Sequence, residues 1–270
     1  MDSFIIIADD LTGAADTGVQ FCRFFEDTTL VSYQQLDRIL ERPPGSASQA
    51  TAVYTNSRAL TAEAAHQRLL YVARKLAGRQ SLRIYKKIDS CMRGNVGAEV
   101  DALLDALGYE VSFITPAFPE LGRTTENDIH RVHGIPLAET EISRDPTSPV
   151  KKSHLTRIVR SKSKYPVGHV AAAHLHRTNS ELQAQIDRQV LRGFRHLVFD
   201  AATRYHLDRI AGLVYSFPGK ALPVGSAGLA GSLTEPLNPR EKAASRRNTM
   251  TAALPGRQIF KPRRSRLPQV

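Results

Sequence analysis

Cysteine is scarce in this 270-residue chain: only Cys22 and Cys91 occur, far apart, with no CxxC and no histidine pattern beside them. That scarcity argues against a disulfide framework and against a zinc site, and it leaves two packed thiols. Long apolar runs are missing as well. The longest early run, residues 4–8, falls far below a signal-peptide core or the roughly 20 residues that cross a bilayer, so the expected location is the cytoplasm and no membrane is expected as a partner. No GxxxxGK[ST] loop occurs and no GxGxxG follows the first apolar run, which removes two common phosphate-binding fingerprints. Acids are nearly absent from one segment. Residues 239–270 hold nine Lys or Arg against one acid, Glu241, and so carry most of the formal charge of +11. Counterion release gives such a tail a physical route to nucleic acid. Phe260 is its single aromatic, too few for base stacking, so nucleic acid is not the expected partner.

What is present is a hydrophobic fraction of 41%, enough for one large α/β domain or two small ones. Residues 4–8 are continuously apolar and β-branched, the pattern of a strand buried on both faces of a parallel sheet. Asp9 and Asp10 end it, Thr12 and Gly13 follow, and residues 14–25 have helical spacing. The unit repeats. Strands are predicted over 51–55, 82–88, 110–115, 168–172, 196–200 and 221–225, and helices over 61–76 (with Thr61 as N-cap), 95–107, 180–191 and 206–214. Residues 116–149 read as loop-rich. The alternation predicts an α/β fold, a Rossmann-like parallel sheet with helices on both faces, which binds ligands at the carboxyl ends of its strands. The residues at four of those ends are Asp9 and Asp10; Asn56, Ser57 and Arg58; Asp89 and Ser90; and Pro116, Ala117 and Phe118. All four groups are expected on one rim. Beyond Pro236 no periodicity remains, and that composition predicts disorder.

Several residues could carry chemistry. Asp10, at the start of a helix, either caps it or binds a ligand hydroxyl. Strand alternation puts Lys87 and Asp89 on one side and Lys86 on the other. A Lys and an Asp together can bind a carboxylate and orient or deprotonate a hydroxyl, or they can form a plain ion pair. Arg58 could grip a carboxylate through two parallel hydrogen bonds. Arg93 and the amides beside Gly94 suit the same groups. Arg123 lies in a segment stiffened by Pro116 and Pro119. His130 and His133, near Asp128, have no recognised metal-ligand pattern around them, and no metal site is expected. Ser226, between Gly225 and Gly228, sits where backbone either approaches a nucleotide phosphate or packs a helix closely on the sheet. The basic stretch over 151–164 reads as a solvated loop and helix face.

Taken together, the Ala8 to Ala14 segment, Lys86 to Ser90, Arg93-Gly94-Asn95, Pro116 to Thr124 and Val224 to Ala230 resemble the four-carbon acid sugar kinase family in order and spacing. The resemblance implies ATP-dependent phosphorylation, with Mg²⁺, of the terminal 4-hydroxyl of a tetronate such as threonate, erythronate or 3-oxotetronate. It implies sugar-acid contacts from Asp10, Arg58, Lys87, Ile88, Asp89 and Ser90, with Arg123 as an addition. Asp10 or Asp89 would be the base or hydroxyl-orienting group, and Ser226 a nucleotide contact. Cys91-Met92 stands where the family usually has Thr-Leu. The Arg-rich tail stands where the family continues into a Gly-rich nucleotide domain. The expected organisation is therefore a sugar-acid-binding domain over 1–235 and a basic tail over 236–270 in place of an incomplete second domain. The alternative to an active kinase is a truncated remnant that binds a sugar acid without phosphorylating it.

Overall fold

Strand β1 (Ser3–Ala8) sends Phe4, Ile6 and Ala8 into one core and Ile5 and Ile7 into another, because successive side chains leave a strand on opposite faces. The structure, a computed structural model, describes residues 3–25, 27–41, 49–79, 82–234 and 250–252. After β1 come α1 (Leu11–Phe21), β2 (Asp27–Ser32), α2 (Leu36–Leu40), β3 (Gln49–Tyr54), α3 (Ala62–Leu76), β4 (Leu82–Lys87), α4 (Val96–Leu107) and β5 (Val111–Thr115). The Thr61 hydroxyl accepts the Ala64 N–H and caps α3, as its sequence position predicts. Next are three short strands, β6 (Arg123–Glu126), β7 (Ile129–Val132) and β8 (Ile135–Pro136), and then α5 (Leu155–Arg160), β9 (Val167–Val170), α6 (Ala172–Leu175) and α7 (Asn179–Leu191). The chain continues through β10 (His196–Phe199), α8 (Arg204–Ser216), β11 (Ala221–Gly225), α9 (Ala227–Thr234) and β12 (Met250–Ala252).

Among the described residues, nine strands form one sheet in the order β12-β2-β3-β1-β4-β11-β5-β10-β9. Every neighbouring pair is parallel. Buried residues of α1, α7, α8 and α9 share the core of Phe4, Ile6 and Ala8. Those of α3, α4 and α5 share the core of Ile5 and Ile7. The parallel α/β sheet with helices on both faces is therefore the architecture the sequence predicts. The chain reverses direction across the sheet between β1 and β4, and open parallel sheets form their ligand crevice at such a reversal. Register makes the crevice level, since Ala8 lies opposite both Tyr54 of β3 and Lys87 of β4.

Three expectations need correction. Strand β2 has no counterpart in the predicted elements. Residues 116–149 are not only loop, because β6, β7 and β8 form a small antiparallel sheet; Arg123 begins β6 rather than sitting in an irregular segment. Most of the 236–270 tail lies outside the described residues, but Met250–Ala252 pair in parallel with Thr28, Thr29 and Leu30 at the sheet edge, which differs from the disorder expected there.

Candidate functional site

The first three strand-end groups meet around one guanidinium. Arg58 donates from Nε to Asp9 Oδ2 at 2.7 Å and from Nη2 to Asp9 Oδ1 at 3.0 Å. Its Nη1 lies 2.6 Å from Asp10 Oδ2, and Nη2 lies 3.9 Å from Asp89 Oδ1. Burial works against the charge on Arg58, but these carboxylates outweigh it and hold its pKa above the ordinary value. The guanidinium proposed to grip a ligand carboxylate is thus already surrounded by protein carboxylates. Asp9, fully buried, is the partner that sequence reasoning did not assign; the Asp-Asp doublet was the available signal.

Asp10 caps the helix and also joins the ion-pair cluster. Its Oδ1 accepts the Gly13 N–H at 2.8 Å and caps α1, while Oδ2 faces Arg58. Asp89 accepts Nε and Nη2 of Arg93 at 2.9 and 3.0 Å and the backbone N–H groups of Cys91 and Arg93 at 3.2 and 3.3 Å. Burial pushes its pKa up, but the bonds and charge of Arg93 and the charge of Arg58 prevail and hold it below the usual carboxylate value. It is better suited to orienting a hydroxyl than to removing its proton. Arg93 also reaches Asp145 at 3.2 Å, and the Gly94 N–H donates to Ser148 Oγ at 2.7 Å, so both groups proposed as anion ligands have internal partners.

Lys87 differs from the other cations of the rim. It is only 5% exposed, yet among the described residues its ammonium has no hydrogen-bond partner. Burial lowers its pKa against the pull of Asp9, Asp89 and Asp10. The ammonium points at the first turn of α1, where a Cβ built on Gly13 would lie 2.9 Å from Lys87 Nζ and 2.6 Å from Asp10 Oδ1. A side chain at residue 13 would displace both of these groups. The amides of Leu11 and Thr12 take no partner among the described residues, so the ammonium lies against the first turn of a helix whose leading N–H groups are open.

Lys86 lies on the opposite face, as alternation requires, in an ion pair of 2.6 Å with Glu99 of α4 that is wholly buried. Glu99 also accepts the Ser57 hydroxyl at 2.6 Å, and Asn95 Nδ2 donates to Ser57 O at 3.1 Å. This layer fixes the loop that carries Arg58. Ile88 has its side chain in the α4-side core, leaving only its backbone for a ligand, whereas Ser90 is partly exposed. Arg123 is not in the carboxylate cluster: its Nη1 bonds Leu121 O and lies 3.5 Å from His133 Nε2, although its charge is felt by the Cys91 thiol. His130 is buried in hydrogen bonds to Thr125 and Ser90.

The fourth strand end joins through Ser226. Its hydroxyl donates to Ala117 O at 2.8 Å and accepts the Gly228 N–H at 3.1 Å, while its carbonyl accepts the Tyr85 hydroxyl at 2.5 Å. A Cβ on Gly225 would lie 2.8 Å from Thr115 O, and one on Gly228 2.8 Å from Ala117 O, so these glycines serve close packing. A cavity of about 460 Å³ lies at the opposite, amino edge of the sheet beside Phe4, Leu82 and Ala221; it includes none of the rim residues and has none of their chemistry.

Similar proteins share this arrangement of chain. A D-erythronate kinase of Heliobacterium modesticaldum is 38% identical over 213 residues, covering 78% of this chain and 48% of that protein. A D-threonate kinase of Salmonella typhimurium is 36% identical over 232 residues, covering 85% and 52%. The chain spans about half the length of these curated relatives. Among solved structures, a Bordetella bronchiseptica domain with bound citrate, a domain-swapped dimer, matches with TM-score 0.71 and 33% identity over 86% of this chain and 55% of that one. A Haemophilus influenzae protein matches with TM-score 0.74 and 26% identity over 86% and 56%. No helix among the described residues is long and apolar enough to cross a membrane. Residues 4–233 match the family described as the sugar-binding N-terminal domain, and the chain belongs to that family.

Proposed function

We propose that this chain binds a four-carbon sugar acid at the rim, as the acceptor-binding part of a cytoplasmic kinase that phosphorylates the terminal 4-hydroxyl of threonate, erythronate or 3-oxotetronate. The observation that carries the reading is Lys87, a largely buried lysine whose ammonium has no hydrogen-bond partner among the described residues and lies against the first turn of α1. A sugar-acid carboxylate would offer the ammonium and those amides hydrogen-bonding oxygens that the nearby Asp9, Asp10 and Asp89, which act on Lys87 only through their charge, do not give them. Asp10 and Asp89 then accept hydrogen bonds from sugar hydroxyls. Arg58 acts one step back, holding Asp9, Asp10 and Asp89 in place.

Phosphoryl transfer depends mainly on positioning and charge neutralisation, so an orienting carboxylate suits the reaction as well as a base does. ATP with Mg²⁺ is the donor the kinase relatives imply. The nucleotide contact expected at Ser226 does not fit as the side chain stands, because its hydroxyl is buried and bonded to Ala117. The chemistry assigned to these residues therefore stops at binding and orienting the sugar acid. Because the chain spans about half of its relatives, binding without turnover is the second reading. Titrating the full chain with the three tetronates, and following turnover with ATP and Mg²⁺ in a coupled assay, separates the two. Binding with turnover supports the kinase and binding alone the remnant; neither would reject the sugar-acid site itself.

A further inference from the structure

His130 lies on β7, outside the carboxylate cluster, and is completely buried. Its Nε2 is 2.7 Å from Ser90 O and its Nδ1 is 2.9 Å from Thr125 Oγ1. A carbonyl only accepts, so Nε2 carries the proton, and Nδ1 then accepts the threonine hydroxyl. One tautomer satisfies both contacts. The carbonyl of Ser90 belongs to the same peptide unit as the N–H of Cys91, and that N–H donates to Asp89 Oδ2 at 3.2 Å. This single peptide plane is therefore held at both ends, by His130 on its oxygen and by Asp89 on its nitrogen. The neighbouring Met92 has φ +60°, a conformation a large side chain adopts only when its surroundings impose it.

We propose that His130 is a positioning residue for the rim: by fixing the Ser90–Cys91 peptide it sets the orientation of the Asp89 carboxylate toward a bound ligand. The ligand named in the test rests on the sugar-acid reading; the effect on Asp89 does not. His130 touches no ligand in this scheme. It reaches across from the β6–β7 hairpin, whose strands pair Thr125 with His130, and so makes that hairpin a support for the turn after β4.

The test compares the full chain with His130→Phe, which keeps a ring but no donor, and His130→Gln, whose amide can donate to Ser90 and accept from Thr125. Two quantities are read: tetronate affinity by calorimetry, and the backbone amide resonance of Cys91 by ¹H–¹⁵N NMR without ligand. Expected for His130→Phe are a shifted Cys91 amide and affinity about tenfold weaker, the effect of losing roughly one buried hydrogen bond. His130→Gln should restore both most of the way. An unmoved Cys91 amide in His130→Phe overturns the inference even if the wild type binds no tetronate. A moved amide with undiminished affinity, in a chain that does bind, overturns the link to the ligand. Should His130→Phe fail to fold, Thr125→Val, which removes the donor to Nδ1, is read in the same way and must shift the Cys91 amide.

Discussion

Arg58 and Asp9 form a two-point ion pair, 2.7 and 3.0 Å, that spends the guanidinium on the protein itself. Lys87 is left as the rim cation able to receive a ligand anion. The two residues should then respond oppositely to removal. Lys87→Met should weaken tetronate binding by about ten- to a hundredfold, the loss of one charge-assisted contact, without lowering the melting temperature, since burial weighs against the Lys87 charge more than the nearby carboxylates favour it. Arg58→Ala should destabilise the fold by ~3 kcal/mol, because it strands the buried Asp9 carboxylate. Calorimetry and urea denaturation of both variants check this; equal loss of stability in the two would contradict it.

Beneath the rim, Lys86 and Glu99 form a fully buried pair at 2.6 Å. Lys86→Met alone should cost about 3–5 kcal/mol, while the double change Lys86→Met with Glu99→Leu should recover most of that, because desolvating a pair offsets much of its attraction. Urea midpoints of the two proteins decide it. A double variant no more stable than the single one would mean that the pair is needed for its charge.

Gly13→Ala isolates the approach of β4 to α1. The added methyl would meet only the ends of two side chains, Asp10 Oδ1 at 2.6 Å and Lys87 Nζ at 2.9 Å, which can move aside. Stability should change by under about 1 kcal/mol, helped by the helix preference for alanine. Tetronate affinity should fall at least tenfold because both moved groups face the ligand. Retained affinity, measured by calorimetry, would show that they do not.

Much of this arrangement was legible in the sequence. The Phe-Ile-Ile-Ile-Ala run of β1 and its repeats fix parallel strands, and parallel strands put Asp10, Arg58 and Asp89 at one edge. What stayed hidden was who pairs with whom. Period-two alternation separates Lys86 from Lys87, but it says nothing about whether Arg58 meets a ligand or Asp9, since that depends on loops whose path has no periodic signal. Strand β2 was missed because it buries Thr28 and Thr29, β-branched but polar. The β6–β8 sheet escaped because its strands are two to four residues long, shorter than a hydrophobic period can register.

Acid should weaken the fold in two stages. Burial lowers the pKa of His130 to about 4, whereas an unfolded histidine binds its proton near pH 6.5. Between those values the unfolded state holds more protons, so stability is complete above about pH 6.5 and falls toward about pH 4, by up to ~3 kcal/mol. His206, lowered first by burial and then by the charge of His176, acts in the same direction. His169, raised by its bond to Asp200, contributes below about pH 6.5 and loses that contribution as pH rises through its higher folded value, so it does not cancel the fall. Asp89 and Asp200, both held low, add further loss only below about pH 4. Urea titrations at neutral pH and near pH 4.5 should differ accordingly, and the difference should shrink in His130→Gln. Equal stability at the two pH values would contradict the buried neutral imidazole.

Side-by-side calorimetric titration of the full wild-type chain and Lys87→Met with threonate, erythronate and 3-oxotetronate at neutral pH addresses the sugar-acid site most directly. Saturable binding of at least one tetronate by the wild type, reduced at least tenfold in a Lys87→Met protein that melts no earlier, is the predicted result. Absence of binding by the folded wild type, or binding unchanged by Lys87→Met, would contradict the assignment of the rim as a sugar-acid site centred on Lys87.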